Sequence, residues 1–405
     1  MTACFGTRIG YVVNQFPRAS DQRLIDELIE LEQCGLNVRV FAMHRAEVGP
    51  VLPEAAASRI RVTYLPARIA HETGREEADW LAGQVVARGI THLHAYSMHK
   101  ATDIARTVAA ATDIPYSFSV EANDLAQQGL RSRELRTRAK VAQFIITRSA
   151  ASLGLLAEIC GSGVVSKCHW MYEGIDLANL PFFSEVRRSD ALLTVVGPPG
   201  DVGLDDALVA TAALQARGRK VYLTVLAPDA THSAVQQDVT RHGLSDLVRV
   251  VAAPDQSALH GLMRLHTLLI APWRTTNTPA EVPDVFLKAM ALGLPIVATD
   301  VPGLREAIDD GWTGRLVKAG DPTWLAGAIE TLLDQARVRR RMARAARERL
   351  EQFCMARNVA FMDRLFTQAS VQRRLVPHLA MHHGVPPTGS TLRDQISEVH
   401  DRGKA

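Results

Sequence analysis

The chain has 405 residues, of which 47% are hydrophobic and 22% are charged, and its formal net charge is +3. This composition is ordinary for a globular protein, and the length is sufficient for two domains with separate cores. So small a net charge gives no reason to expect nucleic acid as a partner, and none is predicted.

Three features of the sequence indicate a cytoplasmic protein. No apolar run approaches the roughly 20 residues of a membrane span, and residues 1–7 lack the basic and hydrophobic regions of a signal peptide. The five cysteines are scattered without metal-ligand spacing, as is typical of reduced thiols in the cytosol. We therefore predict a cytoplasmic location, with peripheral attachment to the inner face of the membrane as an alternative.

The first half of the chain alternates short apolar runs with helical patterns, which is typical of a parallel α/β sheet. Residues 8–13 predict a first buried strand. Ser20 is predicted to cap the following helix and Gly35 to end it, and the run LNVRVFAM predicts a second strand. The stretch REEADWLAGQVVARG then predicts another helix.

Two groups of side chains in this half have alternative interpretations. Residues 131–140, RSRELRTRAK, predict a basic helix surface, which is by default a solvated face and alternatively attracts anionic lipid or a phosphorylated acceptor. His92, His94 and His99 are expected to pack at a strand end and to face solvent, because their spacing shows no metal-ligand arrangement. No metal site is predicted.

The second half of the chain repeats the alternation of strands and helices. Four segments are predicted to lie in one parallel sheet, namely residues 193–197, 221–226, 268–271 and 296–298. The loop PPGDVG after the first of them offers backbone N–H groups to an anion, although it is neither a P-loop nor a G-x-G-x-x-G motif.

Residues 280–303, AEVPDVFLKAMALGLPIVATDVPG, predict a helix, a buried strand and a turn in succession. Pro283 suits the first helical position because it has no amide hydrogen to lose, and Asp284 faces the positive end of the helix. Gly293 is expected to end the helix, and residues 295–299 are expected to form the strand. In units of this kind, ligands bind beyond the carboxyl ends of the strands.

The C-terminal part of the chain is rich in arginine and then loses its pattern. Residues 334–353 predict an amphipathic helix, and the helical pattern continues to about residue 370. Residues 371–405 have little apolar periodicity and are predicted to form a mobile tail.

The run PDVFLKAMALGLPIVATDVPGLREAIDDGWTGRLVKAGDP resembles the donor-nucleotide segment of the family-four retaining glycosyltransferases, which have the GT-B fold. That family usually reads E-G-[IVF]-P-x-x-x-x-E-A-M-A-x-G-x-P-V-[IV]-A-[ST], and Ala289, Met290, Gly293 and Pro295 match it. The opening strand and loop, the stretch HLHAYS with PYSFSVEAND, and the phrase CHWMYEGID resemble the N-terminal domain of the same family. The resemblance spans most of residues 8–368.

The resemblance implies an α/β protein of GT-B fold, in which two Rossmann-like doubly wound domains face each other across a cleft. It places an acceptor-side domain at residues 1–185 and a donor-nucleotide domain at residues 186–352. A crossover helix, residues 353–370, would then return to the first domain ahead of the tail.

The resemblance also implies three groups of site residues. Those expected near the reacting atoms are Glu121, Asp124 and Lys288. Those expected to contact a nucleotide-diphosphate sugar are Gly197, Gly200, Asp201, Gly203, Arg274, Glu281, Pro283, Asp284 and Val285. Those expected on the acceptor side are Ser20, His94 and Tyr96. No metal or other cofactor is implied, because helix ends and basic side chains would meet the phosphate charge.

Several departures from the family pattern fall on the charges that hold the donor. Glu121 replaces a histidine that reaches the donor sugar, and Pro198 replaces the arginine of a phosphate clamp whose lysine is also absent. Ala280 and Lys288 replace two glutamates, the second of which accepts hydrogen bonds from the ribose in the family. An ammonium group has no lone pair and cannot accept them.

Two functions are consistent with this pattern. The first is a retaining hexosyltransferase of polysaccharide or glycoconjugate synthesis, with a nucleotide-sugar donor, a glycan or glycolipid acceptor, and Arg274 and Lys288 replacing the missing clamp. The second is a catalytically inert relative that binds and supports a partner glycosyltransferase, and it predicts weak or undetectable binding of uridine and guanosine diphosphate sugars. A dehydrogenase that uses NAD is disfavoured, because no G-x-G-x-x-G follows a first strand.

Overall fold

A computed structural model describes residues 7–18, 21–45, 60–69, 74–96, 100–121, 124–125, 132–172, 174–183, 190–196, 203–252, 256–274 and 282–379. The chain divides into two compact units. The N-terminal unit comprises Met1–Met171 and Asn358–Ala405, and the C-terminal unit comprises Tyr172–Arg357. Each unit is built on its own parallel sheet, as the fold class predicted from the sequence requires.

Within the described residues, the N-terminal unit has a seven-stranded sheet in which every pairing is parallel. Its strands are β1 (Arg8–Phe16), β2 (Asn37–Arg45), β3 (Val62–Tyr64), β4 (His92–Tyr96), β5 (Tyr116–Val120), β6 (Ile145–Thr147) and β7 (Cys168–Trp170). Their spatial order is β3-β2-β1-β4-β5-β6-β7, so the order reverses between β1 and β4. The helices along these strands are α1 (Gln22–Gln33), α2 (Gly74–Arg88), α3 (Lys100–Ala111), α4 (Ser132–Val141), α5 (Ala150–Cys160) and α6 (Ser162–Val165).

The described part of the C-terminal unit has a six-stranded parallel sheet. Its strands are β8 (Ala191–Val195), β9 (Tyr222–Ala227), β10 (Val248–Ala252), β11 (Leu268–Ala271), β12 (Ile296–Thr299) and β13 (Arg315–Val317). The order is β10-β9-β8-β11-β12-β13, which reverses between β8 and β11. The four segments predicted to share a sheet are β8, β9, β11 and β12, so that prediction is confirmed for their described residues.

Helices surround this second sheet and end the described chain. They are α7 (Gly203–Ala216), α8 (Asp229–Arg241), α9 (Gln256–Leu265), α10 (Asp284–Leu292), α11 (Pro302–Ala307), α12 (Pro322–Asp334), α13 (Ala336–Arg349), a 3-10 turn (Leu350–Phe353) and α14 (Met355–Leu379). All four residues of β11 and of β12 are buried, as is expected of parallel strands covered on both faces.

Helix α10 begins one residue later than the sequence suggested. Pro283 is the N-cap residue, with extended backbone (φ −68°, ψ 141°), and Asp284 takes the first helical position. Gly293 ends the helix with φ +78°. A Cβ atom there would lie 2.7 Å from the Phe182 ring and 2.9 Å from the carbonyl oxygen of Phe183. Position 293 therefore requires glycine both for its left-handed backbone and for space.

Two boundaries near the C-terminus also differ from the predictions. Asp334, predicted to start the arginine-rich helix, is the last residue of α12, because Gln335 leaves the helical conformation (φ −102°, ψ 72°). The arginine-rich helix is α13, which starts at Ala336. Helix α14 continues to Leu379 and so enters residues 371–405, whose mobility stays a prediction.

Helix α14 completes the core of the N-terminal unit. The fully buried Phe366 ring packs edge-on against Tyr11 of β1, His92 of β4 and Phe144, with centroid distances of 6.4, 5.0 and 5.5 Å. Aromatic pairs favour this geometry. Residues from Asn358 onward accordingly belong to the N-terminal unit.

Candidate functional site

The carboxyl ends of β8 and β11 lie side by side where the strand order of the C-terminal sheet reverses. Open parallel sheets bind ligands at such a point. Gly203 is the first residue of α7, which follows β8 in the chain, and Arg274 comes shortly after β11. The structure therefore brings these two predicted donor-binding residues to one edge of the sheet. Four others lie outside the described residues: Gly197, Gly200, Asp201 and Glu281.

A bidentate ion pair orients Arg274. Its Nε and Nη2 atoms donate to the two carboxylate oxygens of Asp206 at 2.9 and 2.6 Å. Asp206 lies in the first turn of α7 with its side chain 4% exposed, whereas the side chain of Arg274 is 41% exposed. Because the guanidinium fork is planar and both contacts are charge-assisted, the pair fixes a cationic group at the ligand-binding edge.

The segment that carries Arg274 is anchored to neighbouring strands. Trp273 Nε1 donates to the carbonyl oxygen of Val195 at 3.3 Å, which ties the end of β11 to the end of β8. Thr299 Oγ1 donates to the carbonyl oxygen of Ala271 at 3.2 Å, which ties β12 to β11. The Trp273 ring packs edge-on against Phe286 of α10 at a centroid distance of 5.0 Å. Side chains on such rigid supports are pre-positioned for binding.

The N-terminus of α10 carries opposite charges one turn apart. Lys288 Nζ lies 2.5 Å from Asp284 Oδ2, and the Lys288 side chain is 12% exposed. Pro283 and Val285, on either side of Asp284, are partly buried. Burial, together with the charge of Lys288, lowers the pKa of His260 on α9. The Lys288 ammonium is thus engaged by a carboxylate of its own helix.

Two carboxyl groups follow β5 in the N-terminal unit. Asp124 Oδ2 accepts a hydrogen bond from the backbone N–H of Glu121 at 3.3 Å. Burial and the charge of Asp124 raise the pKa of Glu121, and the charges of Arg148, Arg23 and Arg18 lower it to a smaller extent. Glu121 therefore lies in a partly desolvated place that holds charges of both signs, and its pKa is raised overall.

Replacing Glu121 by Gln is expected to stabilise the protein at pH 8. A carboxyl with a raised pKa favours folding below its ordinary pKa, and that contribution is lost as the pH rises through the folded-state pKa. Glutamine resembles the protonated form at every pH. The thermal unfolding temperature of Glu121→Gln should therefore exceed that of the parent at pH 8 and match it near pH 4. A stabilisation of about 1 kcal/mol corresponds to a rise of about 2–4 °C in unfolding temperature.

The control for this measurement is Glu158→Gln, which changes an exposed glutamate on α5. It should leave the unfolding temperature unchanged at both pH values. A lower unfolding temperature of Glu121→Gln at pH 8 would mean that the three arginines outweigh burial and Asp124.

Arg148, directly after β6, is held by a buried carboxylate. Its Nη2 lies 2.8 Å from Glu27 Oε2 of α1, and both side chains are 5% exposed. Tyr11 Oη donates to the other oxygen of Glu27 at 2.9 Å. The guanidinium also lies over the ring of Tyr96, 6.0 Å from its centroid. Arg148 thus lies over the predicted acceptor-side residue Tyr96, and its charge also acts on Glu121.

The loop after β1 adds a second arginine to this edge of the sheet. Asp21, rather than Ser20, is the N-cap residue of α1, and Ser20 lies outside the described residues. The Asp21 carboxylate makes no capping bond to α1 and instead accepts from the backbone N, Nε and Nη2 of Arg18 at 2.7, 3.0 and 2.8 Å. The loop therefore fixes a half-exposed guanidinium at the carboxyl end of β1.

His94, the third predicted acceptor-side residue, lies inside the N-terminal unit. It is fully buried, and its two ring nitrogens hydrogen-bond to Ser117 and Ser119 at 2.8 and 3.0 Å. Burial, aided by His92 and Arg148, lowers the pKa of His94 well below its ordinary value, and burial alone lowers that of His92 to about 3. Packing is confirmed for both histidines, and the predicted solvent exposure is wrong for them. His99 lies outside the described residues.

Two arginines of the basic helix α4 bind neighbouring helices. Arg138 is buried and makes a bidentate pair with Asp103 of α3 at 2.9 and 2.7 Å. Arg136 Nε donates to the carbonyl oxygen of Ile159 on α5 at 2.6 Å. The solvated face predicted for this helix is therefore wrong for Arg138, whose charge joins neighbouring helices.

The sequence interpretation missed several charged residues at the two edges. Arg148 follows a strand directly, and the rule that ligands bind beyond strand ends points to it. Glu27 lies between Leu24 and Leu28 on the apolar side of α1, and a carboxylate in that position signals a buried partner. Asp206 offered a weaker signal, since acidic residues are common in first helical turns.

Among the residues that the structure describes, no three His, Cys, Asp or Glu side chains converge as metal ligands would. None of the described helices combines the length and the apolar character that crossing a membrane requires.

Two doubly wound parallel sheets in one chain are the architecture of the GT-B fold. A crystal structure of HepE from Anabaena in complex with UDP matches with a TM-score of 0.72 and 17% sequence identity, covering 89% of this chain and 100% of that one. HepE has also been crystallised in complex with UDP-glucose. At this level of identity the likeness establishes the fold, and the predicted fold class is confirmed.

The sequence of the C-terminal unit is similar to known glycosyltransferases. Residues 189–335 match the family model described as Glycosyl transferases group 1, which confirms the resemblance seen in the sequence. A glycogen synthase of Mycobacterium tuberculosis is 27% identical over 249 residues, which are 59% of this chain and 59% of that protein. A D-inositol 3-phosphate glycosyltransferase of Frankia alni is 34% identical over 162 residues, 40% of this chain and 32% of that protein. The matches span less than two thirds of the length of these curated relatives.

Proposed function

We propose that the chain transfers a sugar from a nucleotide-diphosphate donor to a glycan or glycolipid acceptor, with retention of anomeric configuration. In the reaction, the bond from the anomeric carbon to the diphosphate oxygen breaks and a bond to an acceptor hydroxyl oxygen forms. A nucleoside diphosphate and a proton are released. The family match of residues 189–335 and the UDP and UDP-glucose complexes of HepE support a donor of this class.

The Asp206–Arg274 pair is the observation that carries this proposal. The family's clamp arginine is absent because Pro198 stands in its place, yet a guanidinium from the neighbouring strand end occupies the same edge of the C-terminal sheet. A planar guanidinium matches phosphate geometry with two parallel hydrogen bonds. Asp206 offsets part of the positive charge of Arg274, so the pair favours phosphate binding mainly by fixing the orientation of Arg274.

Two helix ends complete the donor site in this proposal. The N-termini of α7, at Gly203, and of α10, at Asp284, carry partial positive charge that favours phosphate. No metal or cofactor is included, because Arg274 and these helix ends meet the charge of the diphosphate.

The edge formed by Glu121, Asp124, Tyr96 and Arg148 is our candidate for the acceptor side of the N-terminal unit. An ordinary carboxylate at position 121 would repel an anionic ligand. The raised pKa of Glu121 and the charge of Arg148 both lessen that repulsion. Substitution of the family's histidine by glutamate is therefore compatible with an active site.

Titration calorimetry with UDP and UDP-glucose tests the proposal. Arg274→Gln is expected to weaken binding about 10- to 100-fold, which corresponds to the loss of charged hydrogen bonds worth about 1.5–3 kcal/mol. Arg274→Lys keeps the charge but loses the guanidinium fork, so its affinity should lie between those of the parent and of Arg274→Gln. Lys220→Gln removes an exposed charge elsewhere in the C-terminal unit and should bind as the parent does.

Unchanged affinity of Arg274→Gln would place the phosphate clamp elsewhere. Affinity lost equally in Lys220→Gln would indicate attraction by net charge alone. Release of UDP from UDP-glucose in the presence of glycan acceptors is the measurement of turnover, and Asp124→Ala should abolish it if the acceptor edge is assigned correctly.

The second candidate function is an inert relative that supports a partner glycosyltransferase, and the Asp284–Lys288 pair favours it. This ammonium is engaged by Asp284 and has no lone pair for the ribose hydroxyls. This candidate would be supported against the first by two results together. The unmodified chain would bind neither UDP-glucose nor GDP-mannose up to about millimolar concentration, and the triple variant Lys288→Glu/Pro198→Arg/Glu121→His would bind them. Turnover by the unmodified chain would exclude it.

A further inference from the structure

The outer face of α13 carries four arginines that make no ion pair within the described part of the chain. They are Arg337, Arg340, Arg341 and Arg344, and all four are exposed. Their spacing of three and four residues places them on one face of the helix. The row extends over about two turns, or about 10 Å.

The other face of the same helix uses its arginines differently. Arg347 donates to the carbonyl oxygens of Leu177, Leu180 and Ala291 at 2.8, 2.7 and 2.8 Å. Arg339 is buried and donates to carbonyl oxygens at the end of α12. These two arginines hold the fold together. The exposed row makes no comparable set of contacts, so folding alone does not explain its charge.

The exposed arginines line an open groove of about 510 Å³ together with Trp312, Ala345 and Glu348. Trp312 is 55% exposed, and the Arg341 guanidinium lies 5.5 Å from the centroid of its ring. Arg341 Nη2 also donates to the carbonyl oxygen of Gly311 at 3.2 Å, which fixes the guanidinium beside the ring. The groove thus presents four positive charges, one negative charge and an exposed indole.

We propose that this groove docks the protein on an anionic lipid bilayer. Phosphate groups are the preferred partners of an arginine fork, and a row two helical turns long is longer than one phosphate, so it suits an array of headgroups. An indole that is apolar in its body and polar at its N–H group suits the boundary between headgroups and acyl chains. Each basic residue near such a surface strengthens attachment about fivefold.

Charge and composition favour lipid over nucleic acid as the occupant. The chain as a whole has a net charge of only +3, and the arginines of the groove lie within about two turns of one helix rather than along an extended basic surface. None of the residues that line the groove belongs to the edge formed by β8 and β11, so lipid binding and donor binding can be tested separately.

Co-sedimentation with lipid vesicles tests the inference. The unmodified chain is expected to bind vesicles of phosphatidylcholine mixed with phosphatidylglycerol, to bind pure phosphatidylcholine weakly, and to be released by added salt. Arg340→Gln/Arg344→Gln should weaken the partition onto anionic vesicles about 30-fold. Trp312→Ala should weaken binding without reducing its dependence on salt.

Lys220→Gln/Arg249→Gln is the matched control, because it removes two exposed charges from the same unit outside the groove. It should bind anionic vesicles as the unmodified chain does. Circular dichroism and an unchanged affinity for UDP-glucose, where the unmodified chain binds it, would show that each variant is folded.

Three results would overturn the inference. The first is undiminished vesicle binding by the arginine variant, and the second is an equal loss in the control variant. The third is groove-dependent binding of inorganic pyrophosphate or of a short DNA duplex by a chain that does not bind vesicles, which would identify a different occupant.

Discussion

Glu27→Ala is expected to destabilise the N-terminal unit by about 3–5 kcal/mol, the range for removing one partner of a buried ion pair. Glu27 faces Arg148 with 5% of either side chain exposed, and it also accepts from Tyr11 Oη. The substitution removes the carboxylate that offsets a buried guanidinium charge, and it deprives a buried hydroxyl of its acceptor. Urea unfolding, with hydrogen exchange of β1 and β6 to locate the effect, is the measurement.

Asp238→Ala serves as the comparison, because Asp238 pairs with Arg241 on the surface of α8 at 2.6 Å. Exposed pairs contribute about 0–1 kcal/mol, so this variant should be nearly as stable as the parent. Glu27→Leu/Arg148→Met, which removes both charges, should recover much of the stability lost in Glu27→Ala. A loss below about 1 kcal/mol in Glu27→Ala would contradict a structural role for the pair.

Acid is expected to destabilise the N-terminal unit through its buried histidines. Burial favours the neutral imidazole of His92, whose pKa falls from 6.5 to about 3, and that of His94 shifts in the same direction. The stability that these groups contribute is therefore complete above pH 6.5 and is lost as the pH falls toward 3. For His92 alone, the loss is about 2 kcal/mol at pH 5 and about 4 kcal/mol at pH 3.

Urea unfolding of His92→Gln/His94→Gln at pH 7.5 and pH 5 measures this effect. The amide side chains retain hydrogen-bonding groups for Ser117 and Ser119 but do not titrate. The variant should be less stable than the parent at pH 7.5, and its stability should fall less between the two pH values. His232→Gln, on α8, should keep the pH dependence of the parent. Equal slopes for parent and double variant would show that the histidines do not cause the acid sensitivity.

The sheets could be predicted from the sequence because their strands carry the signal locally. Residues in β11 and β12 are all apolar except Thr299, and turn residues bound each run. Helix ends were predicted less well. Gln335 has no sequence mark that separates α12 from α13, and Pro283 suits both the N-cap and the first helical position.

The site could be predicted only where one segment carries it. Arg274 and Glu121 stood out because each departs from a family pattern or lies near one. Their partners lie far away in the sequence: Asp206 is 68 residues from Arg274, and Glu27 is 121 residues from Arg148. Such pairings depend on which strand ends meet at an edge, and that follows from topology rather than from local pattern.

The backbone at Gly293 affects how the stretch that best matches the glycosyltransferase pattern can be interpreted. Its left-handed conformation and its contact with Phe182 and Phe183 would exclude any side chain whether or not a sugar nucleotide is ever bound. Selection for folding alone would thus preserve the glycine and the apolar residues around it through any loss of catalysis. The stretch ALGLPIVAT therefore indicates the fold, and evidence of activity must come from the charged groups beside it.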